Sequence, residues 1–268
     1  MKNRKGAIRM SEIPAEVLHA LNQGKLETVN LVEGLAVNNK LLIYNVLKQY
    51  GREKYYEPIE SAYDLLPLKT ITKVNLSIGL GLLSEIKKNQ DTAFMEILSS
   101  HTSDIVRGWA SYLVGFDKDL PIEGKLEKIK PFASDTHFGV REFAWMVMRD
   151  GIADNLEKSI QILSKWSLST DPYIRRFASE ATRPRGVWCR HIEMLKVKPE
   201  LALSILEPLK SDPERYVQNS VGNWLNDAAK TKPEWVVILC EDWLIKSPTT
   251  VTKYIVKRGM RSLIATKA

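Results

Sequence analysis

Apolar residues recur at helical spacing along most of the chain: Val17, Leu18 and Leu21; Leu31, Val32 and Leu35; Leu42, Val46 and Leu47; Leu80, Leu83 and Ile86; Leu203, Leu206 and Leu209. Residues three and four apart share one face of a helix, so each set is one apolar stripe. No stretch keeps the two-residue alternation of a half-buried strand. Breaks are predicted at Asn22-Gln23-Gly24, Tyr50-Gly51, Asp117 to Pro121, Lys130-Pro131, Asp171-Pro172, Asp212-Pro213 and Ser247-Pro248. There Gly, Pro or a Ser, Thr or Asp cap closes one helix or starts the next. The pattern predicts an all-α chain with short loops.

Within it a unit repeats. Ser103-Asp104-Ile105-Val106-Arg107-Gly108-Trp109-Ala110 matches Phe138-Gly139-Val140-Arg141-Glu142-Phe143-Ala144 at an offset of 34, Arg107 to Arg141. Asp171-Pro172-Tyr173-Ile174-Arg175-Arg176-Phe177-Ala178 lies a further 34 on, and segments at Val217 and Val251 continue the series at 43 and 34. Five helices therefore read as copies of one unit. Units of this length with a short Asp-Pro turn and a Val-Arg-like pair resemble HEAT repeats, which stack into a curved α-solenoid with a concave binding surface. One domain is expected over 1–268, with amino-terminal helices in 1–100 and the recognisable repeats in 101–268. Val106, Val140, Ile174, Val217, Trp109, Phe143 and Phe177 are expected to pack its core.

Composition narrows the class. Of 268 residues, 44% are hydrophobic and 26% charged, enough for a packed core and too apolar for intrinsic disorder. No apolar run approaches the roughly 18 residues of a membrane span. The basic start Met1 to Lys5 leads into Ile13-Pro14-Ala15 rather than a secretory core, so a cytoplasmic, nucleoid-associated protein is expected. Cys189 and Cys240 form no CxxC, and His19, His101, His137 and His191 have no ligand spacing, so neither metal nor other cofactor is expected. The phosphate-loop, dinucleotide and serine-elbow motifs are missing, which leaves carboxylates, arginines and aromatics to carry any chemistry. A formal charge of +7 favours a polyanionic partner.

Some polar residues stand out on these helices. Arg176, Glu180 and Arg183 are spaced i, i+4, i+7 and project together, and Arg185 and Trp188 follow where Pro184 ends the helix. Asn219, Asn223, Asn226 and Asp227 share a face of the fourth unit, and Arg141 and Glu142 sit beside Trp145 in the second. Glu142, Arg176 and Asn219 hold equivalent positions on three successive units, as expected if they face a common groove. The alternative is a ladder of inter-repeat salt bridges, such as Glu180 with Arg176 or Arg183.

Three groups of words then carry a family resemblance. They are Asn3-Arg4-Lys5-Gly6-Ala7 through Glu27-Thr28-Val29-Asn30-Leu31-Val32-Glu33; Val140-Arg141-Glu142-Phe143-Ala144 with Ala178-Ser179-Glu180-Ala181-Thr182-Arg183-Pro184-Arg185; and Tyr216-Val217 through Leu225-Asn226-Asp227. Over essentially the whole chain the sequence resembles the AlkC branch of the AlkC/AlkD DNA alkylation repair family. It departs at Gly186-Val187-Trp188, where the family has a Leu-Pro-Trp-like run, and at Gln218, where an Arg is usual.

The resemblance implies a monomeric DNA glycosylase that removes N-alkylated bases from double-stranded DNA without swinging them into a pocket, unlike the flipping enzymes. The candidates are 3-methyladenine, 3-methylcytosine and 1-methyladenine. Glu142 and Asp227 would stabilise the sugar cation and orient water, with Glu180 as their orienting partner. Trp145 and Trp188 would cover sugar or lesion by cation-π attraction. Arg141, Arg176, Arg183 and Arg185, with Asn219 and Asn223, would hold DNA. No lysine occupies an evident nucleophile position, so no lyase activity is expected. Two other readings stay open: a non-catalytic HEAT scaffold binding DNA or protein, and an RNA-directed binder or base-removing enzyme.

Overall fold

The computed structural model describes residues 4–186 and 189–265. Among them there are helices and no strands, as the periodicity predicts, and no helix is long and apolar enough to cross a membrane. The chain divides into two compact units, Met1–Asp119 with Thr136–Ala144, and Leu120–Asp135 with Trp145–Ala268.

The first unit holds α1 (Ala15–Asn22), α2 (Leu31–Ala36), α3 (Asn39–Gln49), α4 (Tyr56–Asp64), α5 (Ile71–Asn89), α6 (Thr92–Ser99) and α7 (Asp104–Gly115). After α1 the chain reverses at Gly24, whose φ of +69° suits a residue without Cβ. Helix α5 packs on α4 and α7, and α7 also on α6. The stripes Leu42, Val46, Leu47 and Ile78, Leu82 are fully buried, as is Trp109, whose indole donates to Asn75 Oδ1 at 2.7 Å.

Helix α8 (Ile122–Ala133) opens the second unit, and α9 (Phe138–Asp154) begins in the first and ends in the second. There follow α10 (Leu156–Trp166), α11 (Pro172–Ala181), α12 (Glu193–Val197), α13 (Leu203–Leu206), α14 (Arg215–Ala229), α15 (Pro233–Lys246), α16 (Thr250–Gly259) and α17 (Arg261–Ala265). Helix α14 is the hub, packed on α11 and α16. The 43-residue step between the third and fourth copies accommodates the short α12 and α13. One predicted break moves: Pro131 lies inside α8, two residues from its end, where the missing N–H and ring cost only the last turn.

The five repeat copies are the helices α7, α9, α11, α14 and α16, and one position in them has a common task. Arg107 donates to the carbonyls of His101 and Thr102, Arg141 to Thr136, Arg175 to Ser169 and Thr170, and Gln218 to Asp212 and Pro213. Each side chain bends back five or six residues and satisfies carbonyls that the turn before the helix leaves open. Gln218 makes the same bonds with an amide, whose Oε1 stays buried without a hydrogen-bond partner. Thr252 takes the place in the last copy, sharing hydrogen bonds with Ser247 and Thr249. Arg175 also grips Asp212 bidentately, at 2.6 and 3.0 Å, and so joins α11 to the turn before α14.

His101 in the first unit is 5% exposed and accepts from the Ser103 amide through Nδ1, which requires the neutral ring. Burial, and secondarily the Arg107 charge, pushes its pKa from 6.5 to about 4. The unfolded chain therefore takes up a proton between these values that the folded one refuses. Stability present above pH 6.5 should fall progressively as pH drops towards 4, by on the order of 3 kcal/mol. Thermal unfolding of His101→Gln should show a flatter pH profile over that window, and an unchanged profile would remove His101 as the cause.

Candidate active site

The second unit gathers Arg176, Glu180, Arg183 and Asp227 of the ionic residues singled out in the sequence. Glu180 sits near the end of α11, and Arg183 lies just beyond, where Pro184 bars further helix. Asp227 lies on α14. Arg183 Nη1 donates to Glu180 Oε1 at 2.7 Å, while Nε and Nη2 both reach Asp227 Oδ2, at 2.8 and 2.7 Å. The other oxygen of Glu180 accepts from Ser220 at 2.6 Å, and Ser179 in turn donates to Ser220. Arg176 lies 3.8 Å from Glu180 Oε2, and Lys230 lies 3.4 Å from Asp227 Oδ1.

Both carboxylates are 4% exposed. Burial alone would raise the Glu180 pKa, but Arg176, Arg183 and the Ser220 hydroxyl outweigh it and hold the group below the usual carboxylate range. Glu180 is therefore a fixed carboxylate in low dielectric, and Asp227 is held beside it by the same guanidinium.

The other expected residues are placed as follows. Arg176 stacks over the Tyr216 ring at 4.2 Å, Asn219 accepts from the Tyr254 hydroxyl, and Asn223 accepts from Arg258 Nε. These positions are thus engaged between consecutive helices of the second unit, through ring stacking and hydrogen bonds rather than salt bridges. Glu142 is half-buried in the first unit, on the same helix as the turn-bracing Arg141. Trp145 is 4% exposed and belongs to the packing of the second unit, which leaves little indole face for a sugar. Trp188 lies outside the described residues. Arg185 is half-buried, with its Nε lacking a hydrogen-bond partner.

Three contributors were not anticipated: Ser220, Lys230 and Arg149. Lys230 falls at i+3 from Asp227, a spacing that could have marked it. Arg149 is 1% exposed and donates to the carbonyls of Ala181, Arg183 and Arg190, so it fixes the segment that presents Arg183. Only the fold reveals it, because its acceptors are backbone atoms 32 to 41 residues away. Among the described residues no cluster of three metal-ligating side chains occurs.

These features define an all-α protein of HEAT-like repeats with a buried arginine-dicarboxylate centre. Residues 138–263, which contain that centre, match the family described as DNA alkylation repair enzyme. That match covers 126 of the 268 residues. The chain is 38% identical over 138 residues to the uncharacterized protein YhaZ of Bacillus subtilis, a match covering 52% of this chain and 37% of that one. The Pseudomonas fluorescens alkylpurine DNA glycosylase AlkC, solved on DNA containing an abasic site analog, superposes with a TM-score of 0.67 at 22% identity. That match covers 97% of this chain and 66% of the AlkC chain. AlkD2 from Streptococcus mutans gives a TM-score of 0.59 at 22% identity, covering 80% and 97%. The chain therefore spans less than two thirds of the length of YhaZ and of AlkC.

Replacing Arg183 by Met should strip two buried carboxylates of their shared partner and lower stability by about 3–5 kcal/mol, measured by denaturant unfolding. The Glu180 contribution has the sign of a depressed carboxyl: present above its unfolded pKa and lost as pH falls through the folded one. The stability gap between wild type and Glu180→Gln should thus close on acidification, and a gap that does not depend on pH would contradict the ionised Glu180.

Proposed function

We propose that this chain is a DNA glycosylase that hydrolyses the N-glycosidic bond of cationic N-alkylated bases, 3-methyladenine foremost, with 3-methylcytosine and 1-methyladenine as further substrates. The observation that carries this reading is the Glu180 and Asp227 pair, held around Arg183 inside the segment that matches DNA alkylation repair enzymes. A base alkylated at a ring nitrogen is already positively charged and departs neutral, so it needs little help from a general acid. Positive charge builds on the deoxyribose instead, and a preorganised carboxylate stabilises it without having to reorient.

Asp227 is assigned to the sugar. Arg183 anchors its Oδ2, and its Oδ1 pairs with the exposed Lys230. Glu142 is assigned to the attacking water and Glu180 to fixing Arg183. Arg185 is the phosphate contact, and duplex DNA is the partner, supported by the AlkC structure of similar fold, which is bound to DNA. The lesion stays stacked rather than flipped, and one monomer serves one lesion. Lys230 is tied to a carboxylate rather than presented as an amine nucleophile, so no strand-cutting lyase step follows.

The scaffold reading has one observation in its favour: at 4% exposure the same ion network would serve simply to join α11 to α14. Chromatography of DNA treated with a methylating agent separates the two. Wild type should release free 3-methyladenine, and Glu142→Gln should lower the rate about 10²-fold or more, the usual cost of removing one electrostatic stabiliser. Tight DNA binding without release would establish the scaffold. Borohydride treatment during turnover should trap no protein-DNA adduct, and a trapped adduct lost in Lys230→Gln would refute the monofunctional assignment.

A further inference from the structure

After Asp242 the sequence holds Lys246, Lys253, Lys257, Arg258, Arg261 and Lys267 and not one Asp or Glu. Six of the seven excess positive charges therefore fall in the last 26 residues. Lys246 is spent on Asp242 at 2.9 Å. Lys253 and Lys257, one helical turn apart on α16, and Arg261 at the start of α17 are exposed, and among the described residues no acidic side chain is ion-paired with them.

The surface behind them is built to hold that charge in place. Gly222 of α14 and Gly259 of α16 let the two helices close up: a Cβ on Gly222 would meet the Arg258 stem at 2.8 Å, and one on Gly259 would meet Leu225 at 2.8 Å. Arg258 is steered by Asn223 at 3.2 Å, and Arg215 stacks 3.8 Å over Tyr254. Arg261 donates to the Arg258 carbonyl at 2.6 Å. Asn226, next to Asp227, donates to Gly259 O and Ser262 Oγ and so locks this surface to the helix that carries the carboxylate.

A plainer role exists for part of the set. Basic residues in the last turn of a helix complement its dipole, by about 0.3–1 kcal/mol each. That accounts for Lys257 and Arg258 but not for Lys253, one turn earlier, or for Arg261 and Arg215, which lie on other helices. The phosphate contacts expected from the sequence are meanwhile largely occupied: Arg183 by two carboxylates, Arg176 by Tyr216 and Glu180, and Arg141 by its own turn.

We propose that Lys253, Lys257 and Arg261 form a phosphate-binding stripe that carries one strand of duplex DNA past Asp227, with Arg215 and Arg258 flanking it. The proposal rests on the reading of this chain as a DNA-binding repair protein, and duplex DNA is favoured as the polyanion because the family match runs to residue 263 and includes the stripe. Its energetics are those of counterion release: each phosphate neutralised contributes about 0.9 to the slope of log affinity against log salt.

The test is a salt titration of binding to undamaged duplex DNA, comparing wild type with K253Q/K257Q/R261Q and with K48Q/K118Q/K128Q, which removes three exposed lysines elsewhere. The stripe variant should lose about 2.7 from the slope and on the order of 10²-fold in affinity at 0.1 M salt, with an unchanged unfolding midpoint. An unchanged slope, an equal loss in the control variant, or a loss seen with a matched RNA duplex but not with DNA would overturn the stripe. Because the DNA carries no lesion, the result does not depend on base release, and a chain that binds through the stripe yet releases nothing would refute the glycosylase reading alone.

Discussion

One guanidinium buried between two carboxylates ties the third repeat helix to the fourth. Burying Glu180 or Asp227 alone would cost several kcal/mol, and the attraction to Arg183 offsets this only because the fork of its N–H groups meets both partners at 2.7 to 2.8 Å. A lysine could not span the two in this way. The network therefore fixes how α11 and α14 meet, and it holds both carboxylates in place. In the proposed reaction the same interaction would serve stability and chemistry, since a group that cannot relax away from a neighbouring cation also needs no reorganisation when charge develops beside it.

Supporting layers keep that geometry. Arg149, nearly without solvent contact, holds three carbonyls of the 181–190 segment and so positions Arg183 from behind. The turn-bracing position occupied by Arg107, Arg141, Arg175 and Gln218 sets where each repeat helix begins. Leaving such buried groups unmatched costs more than making the bond gains, so these positions are strict in what they donate and tolerant of whether a guanidinium or an amide donates it.

Much of this was legible in the sequence. The 34-residue offsets located α7, α9 and α11, and the i, i+4, i+7 spacing of Arg176, Glu180 and Arg183 announced a shared face. What spacing could not tell was which side of each helix that face adopts. Arg183 and Asp227 are 44 residues apart, and only packing of α14 on α11 brings them together. That Trp145, expected to cover sugar or lesion, is 4% exposed could not be read locally, because burial depends on elements outside its own helix. Pro131 read as a break because the number of turns left before the helix ends is invisible locally. The cationic stripe was written plainly in the composition after Asp242 but belonged to no motif.

If the buried centre is catalytic as well as structural, its two roles separate at Asp227, where asparagine keeps the shape and one hydrogen-bond acceptor but removes the charge. The decisive measurement is single-turnover release of 3-methyladenine by Asp227→Asn at saturating duplex DNA, with folding and DNA affinity checked in parallel. A rate lower by about 10²-fold or more with binding and fold intact is the predicted result. A rate close to that of wild type would mean that Asp227 serves only to join α14 to Arg183, and that the chemistry resides elsewhere.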